Sequence, residues 1–157
     1  MKKYSQRMIR APLIDRLIDD QPEEIWEDMP LRALDRAEFR KSVMRDLGWL
    51  LNTRITFAER ILDERKLSVV HYGIPDFCSY SPASLADQEL LVKRIKRCME
   101  IFEPRLSEVK IEVNPEITDV LLLKIDSVLV MDSVSEPVSF RTVFNRNTGA
   151  WEIHEQI

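Results

Sequence analysis

The chain has three glycines, two histidines and two cysteines among 157 residues, which is little of what most chemistry-bearing motifs require. Gly48, Gly73 and Gly149 are far apart, so no glycine-rich phosphate loop can form. His71 and His154 have no closely spaced cysteine beside them, and Cys78 and Cys98 are well separated, which removes the ligand spacing of a zinc site. Two isolated thiols fit a reducing compartment and read as small core residues. His71 beside Tyr72 could pass a proton, but nothing near it supplies both a base and an orienting group, so it reads as a turn residue. Carboxylates are abundant. Abundance does not set two of them across a sugar cleft, however, so glycoside hydrolysis gains no support from their number. No catalytic residue, metal or cofactor is predicted.

Two further absences bear on surroundings. Apolar runs such as Val120-Leu121-Leu122-Leu123 are broken by charge long before they could cross a bilayer. The first residues, Met1 to Arg7, are basic, but Asp15, Asp19 and Asp20 arrive before an apolar signal core develops, so a cytoplasmic location is expected. Cations are not in excess either. With 23 Lys and Arg against 27 Asp and Glu the net charge is −4, which argues against broad nucleic-acid binding.

What remains is an ordinary globular composition, 45% hydrophobic and 32% charged, in a length suited to one domain. Residues 1–30 read as an N-terminal extension and 31–157 as a single domain. In the extension, Leu13, Ile14, Leu17 and Ile18 recur at spacings of three and four and make one sticky helical face. It either packs on its own domain or serves as a docking arm that orders on a partner.

The first strong helix is expected from Leu34 to Asn52, with Val43, Leu47 and Leu50 along its buried line and Met44 and Leu51 beside it. A weaker helix is expected over Thr56 to Asp63. Ser84 caps a second long helix, with Asp87 at the reciprocal capping position. Leu91, Ile95, Cys98 and Phe102 make its apolar line; Lys93, Arg94, Lys96 and Arg97 make a basic outer face, either solvated or meeting an acidic partner. Pro104 ends that helix, and the period then changes from helical to alternating. Val109, Ile111 and Val113 point one way, Lys110 and Glu112 the other. Strands are expected at Val120 to Met131, Val138 to Phe144 and Ala150 to His154, with Asn147-Thr148-Gly149 turning the last hairpin. The fold class is therefore α+β, with N-terminal helices packed on one face of a small antiparallel sheet formed by the C-terminal half. A last strand at a sheet edge would offer unpaired backbone groups to another chain.

The most unusual local element is Glu103-Pro104-Arg105. Proline disfavours helix at Glu103 and fixes its own φ, so extended geometry is expected, with Glu103 and Arg105 on one side of a stiff elbow. Either they pair with each other or cap helix ends, or they present a carboxylate and a guanidinium to a partner.

Three stretches in succession resemble the TssE family of type VI secretion baseplate wedge proteins, related to phage tail wedge proteins once labelled lysozyme-like. They are Ser42-Val43-Met44-Arg45-Asp46-Leu47-Gly48-Trp49-Leu50-Leu51-Asn52-Thr53-Arg54, Tyr72-Gly73-Ile74-Pro75-Asp76 and Phe102-Glu103-Pro104-Arg105-Leu106; Leu13-Ile14-Asp15-Arg16-Leu17 is similar to the family's N-terminal signature. The resemblance implies a non-enzymatic cytoplasmic component docked at the inner membrane through its assembly. Glu103, Pro104 and Arg105 would hold the core bundle of TssF and TssG, with TssK in the same baseplate. The final strands, with Phe140, Thr142, Phe144, Trp151 and Ile153, would seed the sheath subunits TssB and TssC. A peptidoglycan-cleaving hydrolase and a phage-derived tail component are the alternative readings.

Overall fold

The computed structural model describes residues 9–18, 22–23, 33–55, 68–77, 80–81, 84–114, 120–131, 134–145 and 147–156. The helix expected over Thr56 to Asp63 and the thiol of Cys78 lie outside the described residues. Two compact units divide the chain, Met1–Val43 and Met44–Ile157. The division falls later than the boundary at residue 30 read from sequence, because the opening segment is tied to residues beyond it.

In the first unit, β1 (Ile9–Arg10) pairs antiparallel with β2 (Ala33–Leu34). A short helix, α1 (Leu13–Leu17), follows β1. Its Asp15 carboxylate is buried and accepts a hydrogen bond from the Ser42 hydroxyl at 2.7 Å, which gives a buried charge the partner it requires. The apolar side chains of this segment face the other way: Leu13 is 62% and Leu17 73% exposed.

A longer helix, α2 (Arg36–Asn52), begins two residues later than its apolar pattern suggests. Leu34 is taken by β2, and Asp35 and Glu38 close a reciprocal cap: the Glu38 N–H donates to Asp35 at 2.9 Å and the Asp35 N–H to Glu38 at 2.8 Å.

The second unit contains the rest of α2, a parallel pair of two-residue strands, β3 (Arg54–Ile55) and β4 (Ile74–Pro75), helix α3 (Leu85–Phe102) and a four-stranded antiparallel sheet. The sheet runs in sequence order, β5 (Leu106–Asn114), β6 (Val120–Met131), β7 (Val134–Asn145) and β8 (Ala150–Gln156). Leu123, Ile125 and Leu129 of β6 stand opposite Thr142, Phe140 and Glu136 of β7, so alternate residues of each strand share one face. That face is buried beneath the helices, whereas Lys110, Glu112, Lys124, Asp126, Arg141 and His154 occupy the other. Here the α+β architecture expected from the sequence is present.

Helix α3 starts at Ser84, whose hydroxyl accepts from the Asp87 N–H at 3.3 Å. The Asp87 carboxylate does not return the bond to Ser84; it accepts from the Ser81 N–H at 2.9 Å and so stitches the preceding loop to the helix. Leu91, Ile95, Cys98 and Met99 form the buried line. Burial pushes the Cys98 thiol up to about 11 despite Arg97 and Arg94 nearby, which marks a core thiol.

One irregularity interrupts β5. Between Ser107 and Lys110 the register with β6 slips by one residue, and Glu108 takes a φ of +52°, rare for a side chain with a Cβ. The extra residue keeps Leu106, Val109 and Ile111 on the buried face despite their odd spacing.

Candidate functional site

The three stretches singled out by their sequence meet in the second unit. The first ends α2, whose last carbonyls need partners. The side chains that follow supply them: Asn52 donates to the Gly48 carbonyl at 2.9 Å, Thr53 to Trp49 at 2.7 Å and Arg54 to Leu51 at 2.6 Å. Arg54 also reaches the Gly149 carbonyl at 3.3 Å, and its guanidinium lies over the Phe77 ring, 4.8 Å from the centroid. Phe77 in turn packs against Phe144 and Trp151 of the sheet, at 4.8 and 5.7 Å between ring centres.

Gly73 makes the second stretch possible. Its φ is +118°, and a Cβ there would stand 2.5 Å from the Thr53 carbonyl oxygen, so only glycine fits. The close approach lets the Ile74 N–H donate to that carbonyl at 2.9 Å and start the β3–β4 pair. Beside it, Tyr72 packs edge-on against Phe102, with 5.4 Å between ring centres, and donates its hydroxyl to the Asp46 carbonyl at 3.3 Å.

The third stretch is a tight turn and not the extended elbow expected from the sequence. Glu103 closes α3, its N–H donating to Met99 at 2.8 Å, and its carbonyl accepts from the Leu106 N–H at 3.0 Å. Pro104 sits where its fixed φ suits the second position of such a turn. Arg105 and Glu103 still fall on one side. The Arg105 guanidinium grips the Glu103 carboxylate through Nε and Nη2 and donates from Nη2 to Asp46 Oδ2 at 2.7 Å. Asp46 Oδ1 accepts from Arg45 at 3.0 and 2.8 Å, and the Arg45 guanidinium lies 4.8 Å over the half-exposed ring of Trp49.

The result is a chain of alternating charge running from the core to the surface: Glu103, Arg105, Asp46, Arg45. Side-chain exposure is 3% for Glu103 at the inner end, 20% for Arg105 and 17% for Asp46 between, and 29% for Arg45 at the outer end. Burial alone would lower the Arg105 pKa, but its bonds to Glu103 and then to Asp46 more than offset this, and the guanidinium is held above its ordinary value. Burial, then the carboxylates of Asp46 and Glu103, push the Tyr72 phenol up as well, with Arg105 opposing them.

Of the residues expected to bind partners, Glu103 is therefore turned inward and Arg105 stands at the rim, while Pro104 is exposed. Asp46 is the member that sequence reasoning missed. It lies in a helix 59 residues from Arg105, and no local pattern connects the two.

The residues expected to mark sheath-contacting strands divide similarly. Phe140, Thr142, Phe144 and Trp151 are buried in the core, and Ile153 is half-buried. Strand β7 is interior, paired with β6 on one side and β8 on the other, so of these two strands only β8 lies at a margin of the sheet. At its start the Asn52 side chain acts as a stand-in strand: its amide donates to the Trp151 carbonyl at 3.0 Å, and its oxygen accepts from the Trp151 N–H at 2.8 Å.

Among the described residues, no cluster of three His, Cys, Asp or Glu side chains could hold a metal ion, and no helix is long and apolar enough to cross a membrane. Residues 37–134 match the family described as "Baseplate wedge protein gp25". No curated protein matches the chain.

Proposed function

The chain belongs to the baseplate wedge protein gp25 family, and from that membership we propose that it is the TssE-type wedge component of a type VI secretion baseplate. In this role it joins the TssF–TssG core bundle, in a baseplate that also holds TssK, to the first ring of TssB–TssC sheath. It works in the cytoplasm, docked at the inner membrane through its assembly.

The observation that carries the proposal is the convergence of the three family-like stretches on one ion-paired cluster. An element with Glu103 clamped inside, Arg105 fixed at the rim and Pro104 projecting has the rigidity that a permanent subunit contact needs, since little side-chain freedom is left to lose on binding. On this reading Glu103 serves by holding Arg105 in place, and the partner meets Pro104 and the rim of Arg105. The hydrolase alternative needs a carboxyl group facing a substrate cleft, whereas both Glu103 oxygens accept from Arg105. Strand sharing with the sheath falls to β8.

Affinity purification of the tagged chain followed by mass spectrometry tests the assignment. TssF, TssG and TssK are expected, with TssB and TssC when sheath is assembled. Recovery of phage tail proteins instead moves the chain to a tail, and clearing of purified cell wall that is lost on Glu103→Gln overturns the structural role. Charge reversal at Arg105 would crowd three carboxylates together, so the variant to use is Arg105→Lys. It keeps the charge and loses the planar fork, and should weaken TssF–TssG recovery while leaving the circular dichroism spectrum unchanged.

A further inference from the structure

Among the described residues, strand β8 has a neighbour on one side only, β7. The direction of its backbone groups follows from a single contact. Asn52 meets both the N–H and the C=O of Trp151, at 2.8 and 3.0 Å. A primary amide carries the same donor and acceptor as a peptide group, so Asn52 fills the place of one residue on a neighbouring strand. Because both Trp151 groups point away from β7, the alternation of an antiparallel ladder turns those of Ile153 the same way. Among the described residues, no backbone group pairs with them on that side. The edge therefore begins with a position already taken and continues with one that accepts an extended backbone.

A second observation lies beside that edge. Gly48 and Asn52 are four apart on α2 and both face β8, since a Cβ at Gly48 would stand 3.8 Å from the Ile153 Cδ1 methyl. Leu47, Leu50 and Leu51 mark the side of the helix turned to the core. Trp49 follows Gly48 by about 100° around the axis, away from those leucines, and is 44% exposed. It is held in place nonetheless: the Arg45 guanidinium lies 4.8 Å over its ring, and Arg45 is itself bonded to Asp46. A strand laid along Ile153 would run beside this ledge.

We propose that Asn52 and Trp49 govern strand addition at β8: Asn52 sets where the added strand begins, and Trp49 selects the side chain it must carry. With Trp151 occupied, the incoming segment starts at Ile153. It cannot slide back by two residues, the smallest slip that keeps each side chain on its own face. Its residue nearest α2 is apolar and large enough to cover the indole, because a desolvated tryptophan is the kind of contact that dominates an interface. That the segment comes from the sheath rests on the reading above; the starting position and the ledge do not.

The test uses the full-length chain co-expressed with TssB and TssC and carrying a photocrosslinker at the exposed His154. In the wild type the crosslink is expected in one extended segment of a sheath subunit. Asn52→Ala should move it by two residues along that segment. Trp49→Ala should lower sheath recovery about tenfold with an unchanged melting curve. Sheath recovery with neither change overturns the inference and leaves the sheath reading standing. An unmoved crosslink alone removes Asn52 as the stop, and undiminished recovery in Trp49→Ala alone removes the ledge. No recovery by the wild type overturns the sheath reading and the inference with it. Amide exchange on the wild type needs no variant, so it decides the matter even where Asn52→Ala does not fold. The Trp151 amide should be protected in the free chain as in the complex, and the Ile153 amide only in the complex. New protection at Trp151 on binding, or none at Ile153, overturns the proposal.

Discussion

Residues 103 to 110 face two ways, and the two sides follow opposite rules. On the inner side Glu103 and Arg105 join Asp46 and Arg45 in a run of ion pairs, with Tyr72 bonded to the same helix as Asp46. On the outer side the exposed Pro104, Glu108 and Lys110 line an open groove. A buried charge must be matched or the fold is lost, whereas an exposed charge can wait for a binding partner at little cost. Removal of a charge on the inner side should therefore register in stability, and substitution on the outer side in assembly.

The strongest way to break this contrast is at the hinge that brings the inner side together. Gly73→Ala forces a Cβ to 2.5 Å from the Thr53 carbonyl at a φ of +118°. It should cost about 3 kcal/mol or more in chemical denaturation, or prevent folding. Next comes Glu103→Ala, which strips Arg105 of its bidentate partner. A loss of about 3 kcal/mol is expected. The double variant Glu103→Leu/Arg105→Leu should recover much of it, since apolar side chains avoid the desolvation of an unmatched charge. If the double variant is as unstable as the single one, the ion pair is not what sets the cost.

A pH titration sharpens the same side. Burial and the carboxylates of Asp46 and Glu103 hold the Tyr72 phenol above its ordinary value of 10.0. A group whose acid form is favoured by folding contributes stability that is complete below the unfolded pKa and lost as pH rises through the folded one. Wild type should thus lose stability relative to Tyr72→Phe as pH rises above about 10, as followed by thermal melts. The smallest effect is expected on the outer side, where Glu108→Gly relieves the positive φ and should change stability by no more than about 1 kcal/mol, most plainly as a gain. That change together with weaker assembly would separate the two sides most cleanly.

Much of this fold is legible in the sequence because its strands alternate cleanly. Val120 to Met131 and Ala150 to His154 fall inside observed strands, and the Ser84 cap starts α3 where expected. Val109, Ile111 and Val113 keep their common face because the slip in register at Glu108 comes just before them. What the sequence conceals is long-range. Nothing local marks Asp46 as a partner for Arg105, and only the fold brings the two together. The Glu103–Arg105 element was readable as a rigid bend, but its direction was not. A proline after a helix fits both an extended exit and a turn closed by Leu106, and the choice is made by the start of β5. The start of α2 was obscured in a similar way: the apolar Leu34 extends the helical pattern, although the Asp35–Glu38 cap was available as a signal.

Asn52 gives the molecule a load path. Its amide bridges the last turn of α2 to both backbone groups of Trp151, at the head of the final strand. Six residues back along the same helix, about 9 Å at 1.5 Å per residue, is Asp46, the counter-ion of Arg105. A tug on β8 would therefore be delivered to the helix that anchors the turn, less than two helical turns from the carboxylate that holds Arg105.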